Sequence, residues 1–189
     1  GGSGRERSIG RALNLIESDG GHWVLKGSES NRGEAVHFVD GSKPESVGEA
    51  RQVLERAPEG SAWVVQRSVA NLLLFGGRKF HLRVHVLAIG DLAVYVHEHC
   101  VCLCANEGFD EENLGNKFAH TTNHCVQRQH HSAVASVSNS CLLRELVEHV
   151  HGEAGYRSAQ AMWDGVFGQL KEVCADAFRA AAAKRIGFF

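Results

Sequence analysis

At 189 residues, with 43% hydrophobic residues and a formal net charge of −2, the chain has the composition of one globular domain able to bury a core. The near-neutral charge excludes a global electrostatic pull toward nucleic acid or an anionic membrane, so neither partner is expected. No apolar run approaches the ~20 residues of a membrane span, the longest, around Val84 to Ile89, being interrupted by His85.

No export or transit pattern is present, which predicts a cytoplasmic location. Both ends look cut: Gly1-Gly2-Ser3-Gly4 opens without methionine, and Ile186-Gly187-Phe188-Phe189 is apolar like an interior segment, so a fragment is expected.

In chain order, Ser8 to Ile16 has helical spacing with Ser8 as a candidate N-cap. Trp23 to Lys26 and Ala35 to Val39 read as strands joined by the polar loop Gly27-Ser28-Glu29-Ser30-Asn31-Arg32-Gly33-Glu34, a hairpin. Pro44 to Ala57 carries the stripe Val47, Ala50, Val53, Leu54, Ala57, a helix with Ser46 as candidate cap, stopped by Pro58-Glu59-Gly60. Ala62 to Val69 reads as a strand, apolar through Trp63-Val64-Val65 as if covered on both faces. Asn71 to Phe75 is an apolar loop.

From Lys79 onward Lys79, His81, Arg83 and His85 alternate with Phe80, Leu82, Val84 and Val86, the period of a half-buried strand. Burying the apolar set gathers Lys79, His81 and Arg83 on the other face, where three donors in a row suit an anionic ligand. The plain alternative is an edge strand whose cations deter aggregation. Gly90-Asp91 makes a turn into Leu92 to Val101, so Lys79 to Val101 is predicted to be one long hairpin.

Phe109 to Asn116 is an acidic, asparagine-rich loop. In His120-Thr121-Thr122-Asn123 that follows, Thr122 and Asn123 offer a hydroxyl and an amide, either to a ligand or as a turn or cap. Gln129 to Ser140 is a polar loop, with His130 and His131 exposed. Cys141 to His151 and Ser158 to Ala183 have helical stripes. The six cysteines are expected to be thiols, and Cys100, Cys102 and Cys104 to share one strand face as small buried side chains. Their spacing lacks the two-residue gap of a structural zinc site, which leaves a metal-binding protein built on them with His97 and His99 as a minor reading.

Read in order, Trp23-Val24-Leu25-Lys26, the glycine- and serine-bearing loop, Trp63-Val64-Val65-Gln66-Arg67, Gly77-Arg78-Lys79-Phe80-His81-Leu82-Arg83 and His120-Thr121-Thr122-Asn123 resemble the tubulin–tyrosine ligase-like family over roughly residues 20 to 130. The resemblance implies an α+β, ATP-grasp-like fold, a mainly antiparallel sheet with flanking helices, incomplete at the C-terminus. It also implies an ATP-dependent ligase that joins a free amino acid to a protein carboxylate through an acylphosphate, with tubulin as one acceptor and an association with the cytoskeleton.

By the same resemblance Lys26, Arg32 and Gly33 approach the phosphates, Gln66, Arg67 and Val69 seat adenine at a strand-to-loop hinge, and His81 lies at the nucleotide. Lys79, Arg83 and Asn123 are the implied catalytic residues, Lys79 also binding the nucleotide, and Thr122 and Asn123 position ribose or substrate. The carboxylates for Mg2+ are expected beyond Phe189. Residues 1–20 are then a lead-in, 21–127 a nucleotide-binding core, 128–140 a polar loop and 141–185 a helical part of one partial domain. The sequence departs from the family where it has Glu34 or Ala35 for a second glycine, Arg67 for lysine, His81 for aspartate, Leu103 for arginine and Thr121 for leucine. The rival reading is a pseudoenzyme of the family that binds nucleotide or protein without ligating.

Overall fold

Ile9, Leu13 and Ile16 recur at helical spacing, and Gly2–Asp19 forms helix α1, longer than the segment expected. Ser8 lies inside it, its Oγ donating to the Gly4 carbonyl at 3.1 Å, so it is not the N-cap. This computed structural model describes residues 2–28, 35–90, 93–129 and 139–183. The chain divides into two compact units, Gly1–Leu72 with Asp110–His130 and Leu73–Phe109 with His131–Phe189. No helix among the described residues is long and apolar enough to cross a membrane.

In the first unit, strands β1 (His22–Gly27) and β2 (Val36–Asp40) form the expected hairpin, helix α2 (Pro44–Arg56) follows, and β3 (Trp63–Arg67) returns on the other side of β1. The sheet order is β2-β1-β3, antiparallel throughout, with Trp23 opposite Val39 and Arg67 and Leu25 opposite His37 and Val65. Alternation sends Trp23, Leu25 and Val39 to the face covered by α1 and α2, where they pack with Leu13, Ile16, Val47, Ala50 and Leu54. Leu13, Ile16 and Leu25 are wholly buried, each contributing about 1.5–3 kcal/mol.

Two expectations fail here. Ser46 does not cap α2: its Oγ accepts from Asp40 N at 3.0 Å, and the helix opens with Pro44 after Lys43. Among the described residues strand β3 is not covered on both faces, since Val64, on the face away from α1 and α2, is 54% exposed, and β3 is also an edge of the sheet. A three-residue apolar run cannot tell an edge strand from a central one, since only sheet order decides that.

The rest of this unit is the 110–129 segment, with short helices α3 (Lys117–His120) and α4 (His124–Gln127) capped by the Asn116 and Asn123 side chains. The His120 ring lies 5.0 Å from that of Phe38 and its Nε2 is 3.0 Å from the Asn113 carbonyl. The buried Gln127 donates to the carbonyls of Phe118 and Thr121, clamping the turn between the two helices.

In the second unit β4 (Phe80–Arg83) pairs with β7 (Val101–Cys104), and β5 (Val86–Ile89) with β6 (Ala93–Val96). The predicted hairpin is therefore present but interrupted. Arg83 faces Val101 while Val86 faces Val96, so residues 84–85 on one arm stand against 97–100 on the other, a bulge-like slip. Strand β8 (Ser140–Leu142) pairs with β7 ahead of helix α5 (Leu143–Val150), so the helix expected from Cys141 begins later, with the Glu145 carboxylate accepting from Leu142 N at 2.8 Å. Helix α6 (Ala159–Ala183) follows the expectation and packs on α5 and β6.

The core of this unit joins Cys100, Cys102 and Cys104 to Leu143, Leu146, Val147, Val150, Met162 and Trp163. The cysteines share one face as expected, and the described cysteines are thiols. The Cys102 and Cys104 sulfurs are 3.8 Å apart, a contact that, with burial, pushes the Cys102 thiol well up. The same contact draws Cys104 down to about 7, helped by Arg78.

Candidate functional site

Strand β1 sends Val24 and Lys26 to the sheet face turned away from α1 and α2, and the register adds Phe38 and Gln66 opposite Val24 and Val64 opposite Lys26. Lys26 Nζ donates to Gln66 Oε1 at 2.7 Å. The exposed Val64 side chain thus lies beside this cation–amide pair, opposite Lys26 and two residues from Gln66. The Lys26–Gln66 bond joins a charged donor to a neutral acceptor, and a phosphate adds ion–ion attraction to the hydrogen bond, so an anion can draw Lys26 from Gln66.

Through the contact of His120 with Phe38, the His120-Thr121-Thr122-Asn123 segment is anchored on this same face. Asn123 Oδ1 accepts from Cys125 N at 2.9 Å, the capping role that the sequence allowed. Its Nδ2 makes no hydrogen bond among the described residues, and this amide is what Asn123 can offer a ligand. Thr122 is half-buried beside it. Lys26 and Gln66 are therefore brought together, and the 120–123 segment touches the same sheet through His120 and Phe38.

Arg67 is not. It stands opposite Trp23, so alternation turns its side chain to the helix-covered face, where the guanidinium lies 5.5 Å from the Trp23 ring centroid and 3.1 Å from the Asp19 carboxylate at the end of α1. Strand parity thus separates the Arg67 side chain from those of Lys26 and Gln66. Val69 is 65% exposed beyond the end of β3. Arg32 and Gly33, together with His130 and His131, lie outside the described residues.

The second unit carries the other expected group. Phe80, Leu82 and Val84 pack against its core, which places Lys79, His81 and Arg83 on the opposite face as the alternation predicts. Burial, with Arg83 adding to it, lowers the His81 pKa and keeps the imidazole neutral at pH 7. His81 stands directly opposite Leu103, so the two departures from the family pattern form one cross-strand pair. A neutral ring facing an aliphatic side chain is self-consistent, because neither leaves a charge without a partner.

The sequence missed Val64, assigned to a covered strand, and Gln127, which holds the 120–123 turn from behind. An edge position and a hydrogen bond across nine residues leave no local pattern. Among the described residues no group of three or more His, Cys, Asp or Glu could hold a metal, so no Mg2+ ligand is assigned to them.

Comparison with known proteins adds the family. Tubulin glycylase 3C of Tetrahymena thermophila is 24% identical over 141 residues, 71% of this chain and 12% of that protein. Tubulin polyglutamylase TTLL5 of Homo sapiens is 28% identical over 120 residues, 61% of this chain and 8% of that protein. The chain thus spans a small part of the length of these relatives. The model of the tubulin-tyrosine ligase family matches residues 6–187, nearly the whole chain, and the chain belongs to that family.

Proposed function

We propose that this chain is the nucleotide-binding part of an ATP-dependent ligase that adds an amino acid to a carboxylate of a protein, tubulin being the acceptor that the relatives' names suggest. The γ-phosphoryl group of ATP passes to the acceptor carboxylate, giving an acylphosphate and ADP. The amine of a free amino acid then attacks the acyl carbon, an amide forms and phosphate leaves.

The observation that carries this reading is the shared sheet face of Lys26, Val64, Gln66 and the 120–123 segment. Val64 and Gln66 suit the face and edge of a purine, Lys26 a phosphate, and Thr122 with the Asn123 amide a ribose or the substrate. By the family resemblance Lys79 and Arg83 would supply positive charge during phosphoryl transfer, and one such group contributes about 10²–10³-fold in rate. His81, held neutral, can hydrogen-bond a hydroxyl without adding charge. Mg2+ would neutralise phosphate charge, and no step is assigned to it here.

The test is ATP-dependent incorporation of labelled amino acid into tubulin by the full-length protein. Lys79→Ala and Arg83→Ala are each expected to lose ligation by about a hundredfold or more. Activity within a few-fold of the parent in both variants would overturn the assignment of these residues.

A further inference from the structure

The second unit buries a row of thiols that the ligase reading leaves unused. Cys102 of β7 stands directly opposite Cys141 of β8. Leu143 N donates to the Cys100 carbonyl at 2.9 Å and Cys104 N to the Asn139 carbonyl at 2.8 Å, so the positions two residues to either side of this pair are hydrogen-bonded, and by the period of the ladder the pair is as well. Cα atoms in such a pair lie about 5.5 Å apart, close to the commonest separation across a disulfide. The Cys102 and Cys141 thiols are hydrogen-bonded to each other, and the Cys102 sulfur is 3.8 Å from that of Cys104. Cys102 thus touches two other thiols, one across the ladder and one along its own strand.

The three thiols differ in chemistry. Contact with Cys102, and then Arg78, draws the Cys104 pKa down to about 7, so much of it is thiolate at neutral pH, the form that an oxidant meets first. The contact with Cys104, together with burial, keeps Cys102 protonated, and burial keeps Cys141 so. Cys104 is the last residue of β7, and Arg78 Nη1 donates to the Ala105 carbonyl at 3.3 Å just beyond it, so local opening of the strand end admits a small molecule to this sulfur. Geometry then separates the possible disulfides. Residues two apart on a strand have Cα atoms about 6.6 Å apart, near the upper limit of roughly 6.8 Å for a disulfide, whereas the cross-strand pair fits without a change of register.

We propose that Cys104, Cys102 and Cys141 form a hydroperoxide-responsive relay that ends in a reversible Cys102–Cys141 disulfide. The Cys104 thiolate attacks one oxygen of the hydroperoxide, the O–O bond breaks, the other oxygen leaves and takes up a proton, and Cys104 becomes a sulfenic acid. The Cys102 sulfur displaces the hydroxyl, which leaves as water with the Cys102 proton, and a Cys102–Cys104 disulfide forms. Cys141 gives up its proton and attacks the Cys102 sulfur, and Cys104, the thiol of lowest pKa and hence the better leaving group, departs as thiolate. Two thiols are oxidised and one hydroperoxide is reduced, giving one disulfide, one alcohol, or water from hydrogen peroxide, and one further water. This chemistry does not depend on the ligase reading.

The test treats the full-length protein with hydrogen peroxide at neutral pH, blocks the remaining thiols with N-ethylmaleimide and maps tryptic peptides by mass spectrometry without reduction. Peptides 84–117 and 129–144 should be joined through Cys102 and Cys141, and dithiothreitol should separate them. Cys141→Ala should stop at a disulfide within peptide 84–117, and Cys102→Ala should leave a dimedone-reactive sulfenic acid at Cys104. Cys104→Ala should slow the cross-link by about tenfold or more. Cys100→Ala, on the same buried face but outside the relay, should leave its rate within about twofold. The parent protein decides the matter even where a variant fails to fold. Sulfinic acid at Cys104 with no joined peptides, or a link to Cys125 or Cys174 in place of Cys141, would overturn the proposal, as would a folded Cys104→Ala protein that cross-links at the parent's rate.

Discussion

Gly41 closes the turn after β2, and a methyl group there has nowhere to go. A Cβ at this position would stand 2.4 Å from the Ile16 carbonyl oxygen and 3.2 Å from the Gly20 carbonyl carbon. That oxygen already accepts Gly20 N at 3.0 Å at the end of α1, and Gly41 N donates to Gly21 O at 2.7 Å, while the Ile16 side chain is wholly buried. Gly41→Ala must therefore push helix end and strand apart by roughly half an ångström or more in a close-packed region. Overpacking of this kind costs about 1–3 kcal/mol, and weakening one of the two hydrogen bonds adds ~1 kcal/mol, so the fold should lose about 2–4 kcal/mol. For a chain of this size the thermal midpoint falls by roughly 4–16 °C. Gly48 is the control. It lies within α2 with nothing within 4 Å of its would-be Cβ, and Gly48→Ala should add about 0.5–1 kcal/mol through helix propensity. Urea denaturation of the two variants followed by circular dichroism reads both values. A Gly41→Ala loss under about 0.5 kcal/mol, or the same sign in both variants, would refute the packing described around Ile16.

Further outcomes follow from the site. Lys26→Met should weaken ATP binding about tenfold, as the loss of one charge-assisted bond implies, whereas Arg67→Ala, whose side chain lies on the other face, should leave it within about twofold; calorimetric titration distinguishes the two, and equal losses would contradict the strand parity. Gln127→Ala removes the clamp on the Phe118 and Thr121 carbonyls and should cost about 1–3 kcal/mol, with faster amide exchange across residues 118–123. His37 and His81 both have pKa values lowered from 6.5, chiefly by burial. The unfolded chain therefore takes up protons first as pH falls, so stability present above pH 6.5 declines below it until the folded-state values are passed. Denaturation midpoints at pH 8, 7 and 5.5 should drop in that order, and His37→Gln with His81→Gln should flatten the profile.

The hairpin of β1 and β2, the stripe of α2, the alternation around Phe80 and helix α6 were readable because each rests on a period within one segment. What escaped depends on partners distant in sequence. Strand β8 is three residues long and exists because Cys141 pairs with Cys102, and the slip at 97–100 is fixed by two separate registers. Val64 was misplaced because an apolar run does not tell which faces of its strand are covered, and the face taken by the Arg67 side chain follows from its place opposite Trp23. At the site, the residue types were legible through the family pattern, but Asn123 acting as a cap with its amide left over required the turn itself.

The central claim is that ligation proceeds through an acylphosphate on the acceptor. The most direct measurement uses an acceptor peptide whose carboxylate oxygens are isotopically heavy, with the full-length protein, ATP and a free amino acid. One heavy oxygen should appear in inorganic phosphate for each amide formed. Amide formation with no heavy oxygen in the phosphate, or amide formation without ATP, would contradict the account.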